Sequence, residues 1–148
     1  MAVTTFAAVD IGSYYVHMEI FQMSKKGGVK SLTKVRQDLE IGRDTYALHK
    51  VTTERIKELT EILIDFKRIM KEFGVSAYRT CAKSALREAA NRYHVVDHIY
   101  RATGIRIDVL SNSEQRFLGY KSIASKGEAS WLPGKMRSRS RSNCGMPR

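Results

Sequence analysis

Between residues 15 and 73 the apolar side chains change their period, and that change constrains the fold more than any bulk property. In YYVHMEIFQM, residues 14–23, they alternate. Val16, Met18 and Ile20 share one side while Tyr15, His17, Glu19 and Phe21 share the other, the period of a half-buried strand. From residue 53 to 73 the spacing becomes three and four: Ile56, Leu59, Ile62, Leu63, Phe66, Ile69, Met70 and Phe73 form one helical stripe, with Gly74 placed to end it. A half-buried sheet and an amphipathic helix must cover each other, which is the layered solution of an α/β domain.

The flanking segments extend this pattern. TFAAVD at 5–10 predicts a short buried strand, DIGS a turn, and VKSLTKVRQDLEI at 29–41 a third strand after the KKGG turn, together an antiparallel meander. VSAYRTCA predicts another strand, SALREAANR and YHVVDHIYRATG helical segments stopped at Gly104, and IRIDVL a last strand. In SNSEQRFLGYKSIA, Ser111 stands three residues before Glu114, the spacing of a capping box, and opens a final helix. From residue 127 the periodicity stops; both prolines, the single Trp and an Arg-Ser alternation read as a disordered basic tail behind a body of residues 1–126.

At 148 residues the chain suffices for one domain with its own core. Its two cysteines, Cys81 and Cys144, form no disulfide framework or zinc spacing, and MAVTTFAAVD has no signal-peptide or membrane-span pattern. The expectation is a cytoplasmic protein with no membrane partner. The net charge is +11, of which residues 127–148 carry one Lys, four Arg and one Glu, a net of +4. The remaining excess is scattered among acidic residues, which suits an anionic substrate or polymer and equally suits an ordinary basic surface. The Arg-Ser tail is compatible with RNA binding.

Asp10 interrupts an apolar run where a buried strand meets a Gly/Ser turn. Such a position lets turn amides approach phosphate oxygens while a carboxylate holds hydrated magnesium; an ordinary hydrogen-bonded strand-turn Asp explains it as well. Arg87, near the start of a helix after a central strand, could reach the crevice at the strand ends or lie on the surface. Glu114 could point at the same crevice, although the capping box alone accounts for it. His94 and His98 share a helical face at metal-ligand spacing but lack a third ligand, and a solvated face explains them better.

Three stretches in order, FAAVDIGSYYVHMEI, YRTCAKSALREAAN and GIRIDVLSNSEQRFLGYKSIA, resemble the exopolyphosphatase and guanosine pentaphosphate phosphatase (Ppx/GppA) family over residues 5–125. The resemblance implies an actin-like ATPase (ribonuclease H-like) first lobe: a mixed α/β sheet with an N-terminal three-strand meander and flanking helices. It implies hydrolysis of the terminal phosphoanhydride of inorganic polyphosphate or guanosine pentaphosphate, with magnesium as cofactor. By this likeness Asp10 places the metal or its waters, Gly12 and Ser13 cradle phosphate, Arg87 holds a substrate phosphate, and Glu114 orients or deprotonates the attacking water.

The chain departs from the family pattern at identifiable places. The family turn continues DIGSNS, whereas Tyr14 and Tyr15 stand here, and Lys83 replaces a usual Thr before SALREA, either compensating by charge or facing solvent. The glycine-rich second phosphate loop of the DIGGGS kind is absent from the sequence, which suggests a first lobe ended by truncation or a shifted reading frame. Two expectations follow: a family phosphatase that is inactive as a lone lobe, or a non-catalytic basic module for RNA or polyphosphate. A lobe without its partner also exposes an apolar face, which points to a homo-oligomer.

Overall fold

A computed structural model describes residues 2–125, and the chain divides into two compact units, Met1–Asn112 and Ser113–Arg148. The expectations for the tail at 127–148 lie outside the described residues. In the first unit, strands β1 (Val3–Ile11), β2 (Tyr15–Ser24) and β3 (Gly28–Asp38) form the expected antiparallel meander. Strand β4 (Ala77–Ala82) returns parallel to β1, and β5 (Ile107–Val109) lies parallel to β4, so the sheet order is β3-β2-β1-β4-β5.

One face of this mixed sheet makes the core. Ala7, Val9 and Ile11 of β1, with Val16, Met18 and Ile20 of β2, are buried as the alternation requires. They pack in one cluster with Leu59, Leu63, Phe66 and Met70 of helix α2 (Thr53–Glu72) and Val95 and Ile99 of helix α4 (Arg92–Thr103). Thr52 caps α2 by accepting from the Arg55 N–H, and Gly74 (φ +64°) and Gly104 (φ +74°) take the left-handed conformation at the two helix ends. Both glycine stops fall where the sequence placed them.

Two segments differ from expectation. The third strand ends at Asp38, and Ile41–Leu48 forms a helix, α1, where the sequence predicted strand to residue 41. The cause is contact far along the chain: the Gly42 N–H donates to the Ser13 carbonyl (2.8 Å), and a Cβ on Gly42 would come within 2.8 Å of Ser13 Cβ. The helical segment SALREAANR contracts to a single turn, α3 (Ser84–Arg87). Beyond it, Asn91 turns its side chain onto Val51, accepting from the Val51 N–H (2.9 Å) and donating to the Val51 carbonyl (2.8 Å).

The loop between α1 and α2 is held by Asp44. Its Oδ2 accepts from the Thr52 hydroxyl (2.6 Å) and Thr52 N–H (3.3 Å) and lies 3.5 Å from Arg55 Nε. Burial pushes this carboxyl up, but the two Thr52 hydrogen bonds and the Arg55 charge outweigh it and hold the group below the ordinary carboxylate range. A carboxyl lowered by folding contributes stability above its unfolded pKa of about 4 and loses it as pH falls through the lower folded value. Asp44→Asn is therefore expected to cost about 1–2 kcal/mol at pH 7 in urea denaturation. The gap from wild type should shrink below about pH 3. An unchanged gap at low pH would contradict the assignment.

Helix α5 (Asn112–Ser125), which belongs to the second unit from Ser113 onward, begins immediately after Ser111, matching the predicted helix start, and carries Glu114 in its first turn. Among the described residues no helix is long and apolar enough to cross a membrane.

Candidate functional site

Strands β1, β4 and β5 are mutually parallel, so their carboxyl ends meet along one edge of the sheet. Open α/β sheets bind ligands at such an edge. The turn after β1 is tight: the Gly12 N–H donates to the Tyr15 carbonyl (3.0 Å), which commits the Gly12 amide within the turn. The next two amides, of Ser13 and Tyr14, find no acceptor among the described residues. Leu39 N–H donates to the Tyr14 carbonyl (2.9 Å), so the turn is held by backbone on its far side as well as by Gly42.

Side chains join this turn to the end of β4. Ser13 Oγ lies 3.2 Å from the Tyr46 hydroxyl, which in turn lies 3.2 Å from Ser84 Oγ, a chain of three hydroxyls linking the turn, α1 and the start of α3. Beside it, Lys83 Nζ donates to Asp10 Oδ2 at 2.6 Å across 73 residues of sequence. The Lys83 N–H also donates to the Ile11 carbonyl (3.2 Å), continuing the β1–β4 pairing and fixing the lysine beside Asp10. Asp10 Oδ1 is enclosed and receives no hydrogen bond from the described groups.

Across the sheet, Asp10 is the centre of a polar row. Register places Arg36, His17, Asp10, Cys81 and Asp108 side by side on β3, β2, β1, β4 and β5. A cleft of about 390 Å³ is lined by Asp10, Tyr15, His17, Lys34, Val35 and Arg36, and the Arg36 guanidinium stacks 4.1 Å over the Tyr15 ring. Tyr15 thus serves as a platform for Arg36, while Tyr14 is exposed. Burial pushes the Cys81 thiol up, with Asp108 and Asp10 adding to the shift, which disfavours a thiolate there. A larger cleft of about 670 Å³ is lined mostly by apolar groups such as Ile64, Met70, Val75 and Tyr78. It lies toward the opposite end of β4 and contains none of the expected site residues.

The expected site residues are distributed as follows. Asp10, Gly12 and Ser13 lie together at the end of β1. Arg87 is the last residue of α3 and donates from Nη1 to the Leu110 carbonyl (2.8 Å), just past the end of β5. Glu114 lies in the first turn of α5, in the second unit. His94 and His98 are exposed with ring centroids 6.2 Å apart, and Asp97 between them pairs with Arg101 (2.9 Å). Among the described residues no three His, Cys, Asp or Glu side chains are grouped to hold a metal ion. Sequence reasoning missed Gly42, Tyr46 and Ser84; no local pattern marks them, because their roles depend on contacts with Ser13.

The fold and this site have counterparts. Over 128 residues the chain is 24% identical to Exopolyphosphatase 1 of Mycobacterium leprae and 22% identical to Exopolyphosphatase 1 of Mycobacterium tuberculosis H37Rv, covering 86% of this chain and 37% of each relative. The chain thus spans little more than a third of those relatives. A crystal structure of the Aquifex aeolicus Ppx/GppA family member superposes with a TM-score of 0.71 at 25% identity, over 75% of this chain and 36% of that one. An exopolyphosphatase from Cytophaga hutchinsonii shares the fold with a TM-score of 0.70 at 19% identity, over 74% and 35%. These matches and the β3-β2-β1-β4-β5 sheet identify the actin-like first-lobe fold. The model of the Ppx/GppA phosphatase family matches residues 20–130, a span that begins after the Asp10 turn and so assigns the family independently of it. The chain belongs to the Ppx/GppA phosphatase family.

Proposed function

We propose that this chain supplies one wall of a phosphoanhydride hydrolase site, acting on the terminal phosphate of inorganic polyphosphate or guanosine pentaphosphate. The observation that carries the reading is the convergence, at the carboxyl ends of β1 and β4, of the Ser13 and Tyr14 amides with the Lys83 ammonium and the Ser13–Tyr46–Ser84 hydroxyls. Phosphoryl transfer needs mainly in-line positioning and neutralisation of charge on the equatorial oxygens, and amides and an ammonium supply both. In this proposal Ser13 and the turn amides bind the reacting phosphate and Arg87 holds a neighbouring one; the role of Glu114 in orienting or deprotonating the attacking water rests on the family resemblance alone. Gly12 contributes the tight backbone path rather than an N–H.

The described residues fit magnesium poorly at Asp10, since Lys83 takes one carboxylate oxygen and no group of three His, Cys, Asp or Glu side chains is present there. The phosphate contacts proposed here are therefore made by protein groups. An actin-like site is completed by a second wall that excludes water. The 148 residues assayed by themselves are accordingly expected to bind tripolyphosphate saturably and to release no phosphate from polyphosphate or guanosine pentaphosphate, with or without magnesium. Phosphate release abolished by Glu114→Gln would show instead that one wall suffices for hydrolysis. Salt-sensitive RNA binding that tripolyphosphate fails to displace would favour a basic binding module over the phosphatase site.

A further inference from the structure

We propose that Lys83 is the resident counter-ion of Asp10. Its ammonium stands where a divalent cation would sit on this carboxylate, so the β1 turn loads phosphate without a metal held by Asp10. The phosphate half of this inference rests on the function proposed above; the metal half does not.

The geometry carries it in three steps. Asp10 has two oxygens: Oδ2 is 2.6 Å from Lys83 Nζ, Oδ1 receives no hydrogen bond from the described groups, and among the described residues Asp10 belongs to no group of three His, Cys, Asp or Glu side chains that could hold an ion. Magnesium demands near-octahedral oxygen coordination and keeps several waters, so a lone carboxylate with one oxygen engaged by an ammonium is a poor ligand. Lys83 is also built in place: its backbone continues the β1–β4 pairing, and its extended backbone (φ −106°, ψ −152°) directly precedes α3. Finally, an ammonium carries three donors and Asp10 uses one, leaving two for phosphate oxygens. The Lys83 side chain keeps 40% exposure, so those donors remain reachable by a ligand.

The full 148-residue chain and its Lys83→Thr and Lys83→Met variants test this in two arms. Mn²⁺ uptake is read from the free-ion electron paramagnetic resonance signal, and tripolyphosphate binding by calorimetry in EDTA or in magnesium. Wild type is expected to take up no stoichiometric Mn²⁺ below about 1 mM and to bind tripolyphosphate equally in both buffers. Lys83→Thr should bind Mn²⁺ more tightly than wild type, a gain lost again when Asp10→Asn is added. It should also bind tripolyphosphate about tenfold more weakly in EDTA, with recovery in magnesium. Lys83→Met keeps the aliphatic stem and should behave likewise, which separates loss of charge from loss of packing.

Stoichiometric Mn²⁺ on wild type that disappears in Asp10→Asn would overturn the proposal, as would folded Lys83 variants that gain no Mn²⁺. If no variant binds tripolyphosphate, the phosphate reading fails, while the Mn²⁺ arm still decides the role of Lys83.

Discussion

Asn91→Ala is expected to lower the unfolding free energy by about 3 kcal/mol, the largest single stability loss outside the apolar core. Its side-chain amide satisfies both the N–H and the carbonyl of Val51, a residue only 2% exposed. Truncation leaves a buried donor and a buried acceptor unpaired, at about 1–3 kcal/mol each. The damage should spread, because Val51 precedes Thr52, which caps α2 and bonds Asp44. Asn91→Asp keeps the acceptor but sets its second carboxylate oxygen against the Val51 carbonyl, and should cost at least as much as Ala. Urea denaturation is the measurement, with an unchanged slope confirming that the denatured state is the same. A loss below about 1 kcal/mol for Asn91→Ala would show that water satisfies Val51 and that the clamp is incidental.

Gly42→Val should have an effect of comparable size, and it should reach the site. A Cβ at Gly42 would meet Ser13 Cβ at 2.8 Å, Tyr46 Cε2 at 3.0 Å and the Ser13 carbonyl at 3.2 Å. The rigid backbone of the β1 turn is one of these neighbours, so the clash cannot be relieved by a side chain alone. An overpacking cost of about 3 kcal/mol is expected, large enough to displace α1 from the turn. The Ser13–Tyr46 contact would be lost with it, and tripolyphosphate affinity should fall about tenfold. Gly42→Ala gains helix propensity against the same clash and should cost less. If Gly42→Val is as stable as wild type, the close packing of α1 on the phosphate turn is wrong.

How much of this was legible in the sequence follows from the range of the interactions. Helix α2 was legible because one stripe of apolar residues repeats over five turns, and Leu59, Leu63, Phe66 and Met70 are indeed buried. The β1–β2 meander was legible for the same reason, since alternation assigns each residue to a face. Helix α1 was not. IGRDTYAL has no sustained period, Glu40 gives no side-chain cap, and the helix ends on His49 at φ +59° instead of a glycine. Its position comes from Gly42 against Ser13, a contact that local pattern cannot express. SALREAANR reads as helix by propensity, yet the Asn91 clamp on Val51 overrides propensity after one turn.

The site divides along the same line. Asp10 stood out because a carboxylate interrupts an apolar run at a strand end. Lys83 was visible only as a replacement for Thr, with charge compensation and solvent exposure both open; in the structure it pairs with Asp10 and keeps 40% side-chain exposure. Tyr15, which departs from the family's DIGSNS turn, carries the Arg36 guanidinium. Each resolution depends on residues that meet across the sheet rather than along the chain.

The central claim is that the carboxyl ends of β1 and β4 form a phosphate site. Backbone amide NMR of the 148-residue chain during titration with tripolyphosphate tests it most directly. Saturable shifts are expected at Gly12, Ser13, Tyr14, Lys83 and Ser84, and they should be absent when an equal ionic strength is reached with sodium chloride. Shifts confined to scattered lysines and arginines such as Lys25, Lys26 and Arg43, with the β1 turn and Lys83 unmoved, would contradict it.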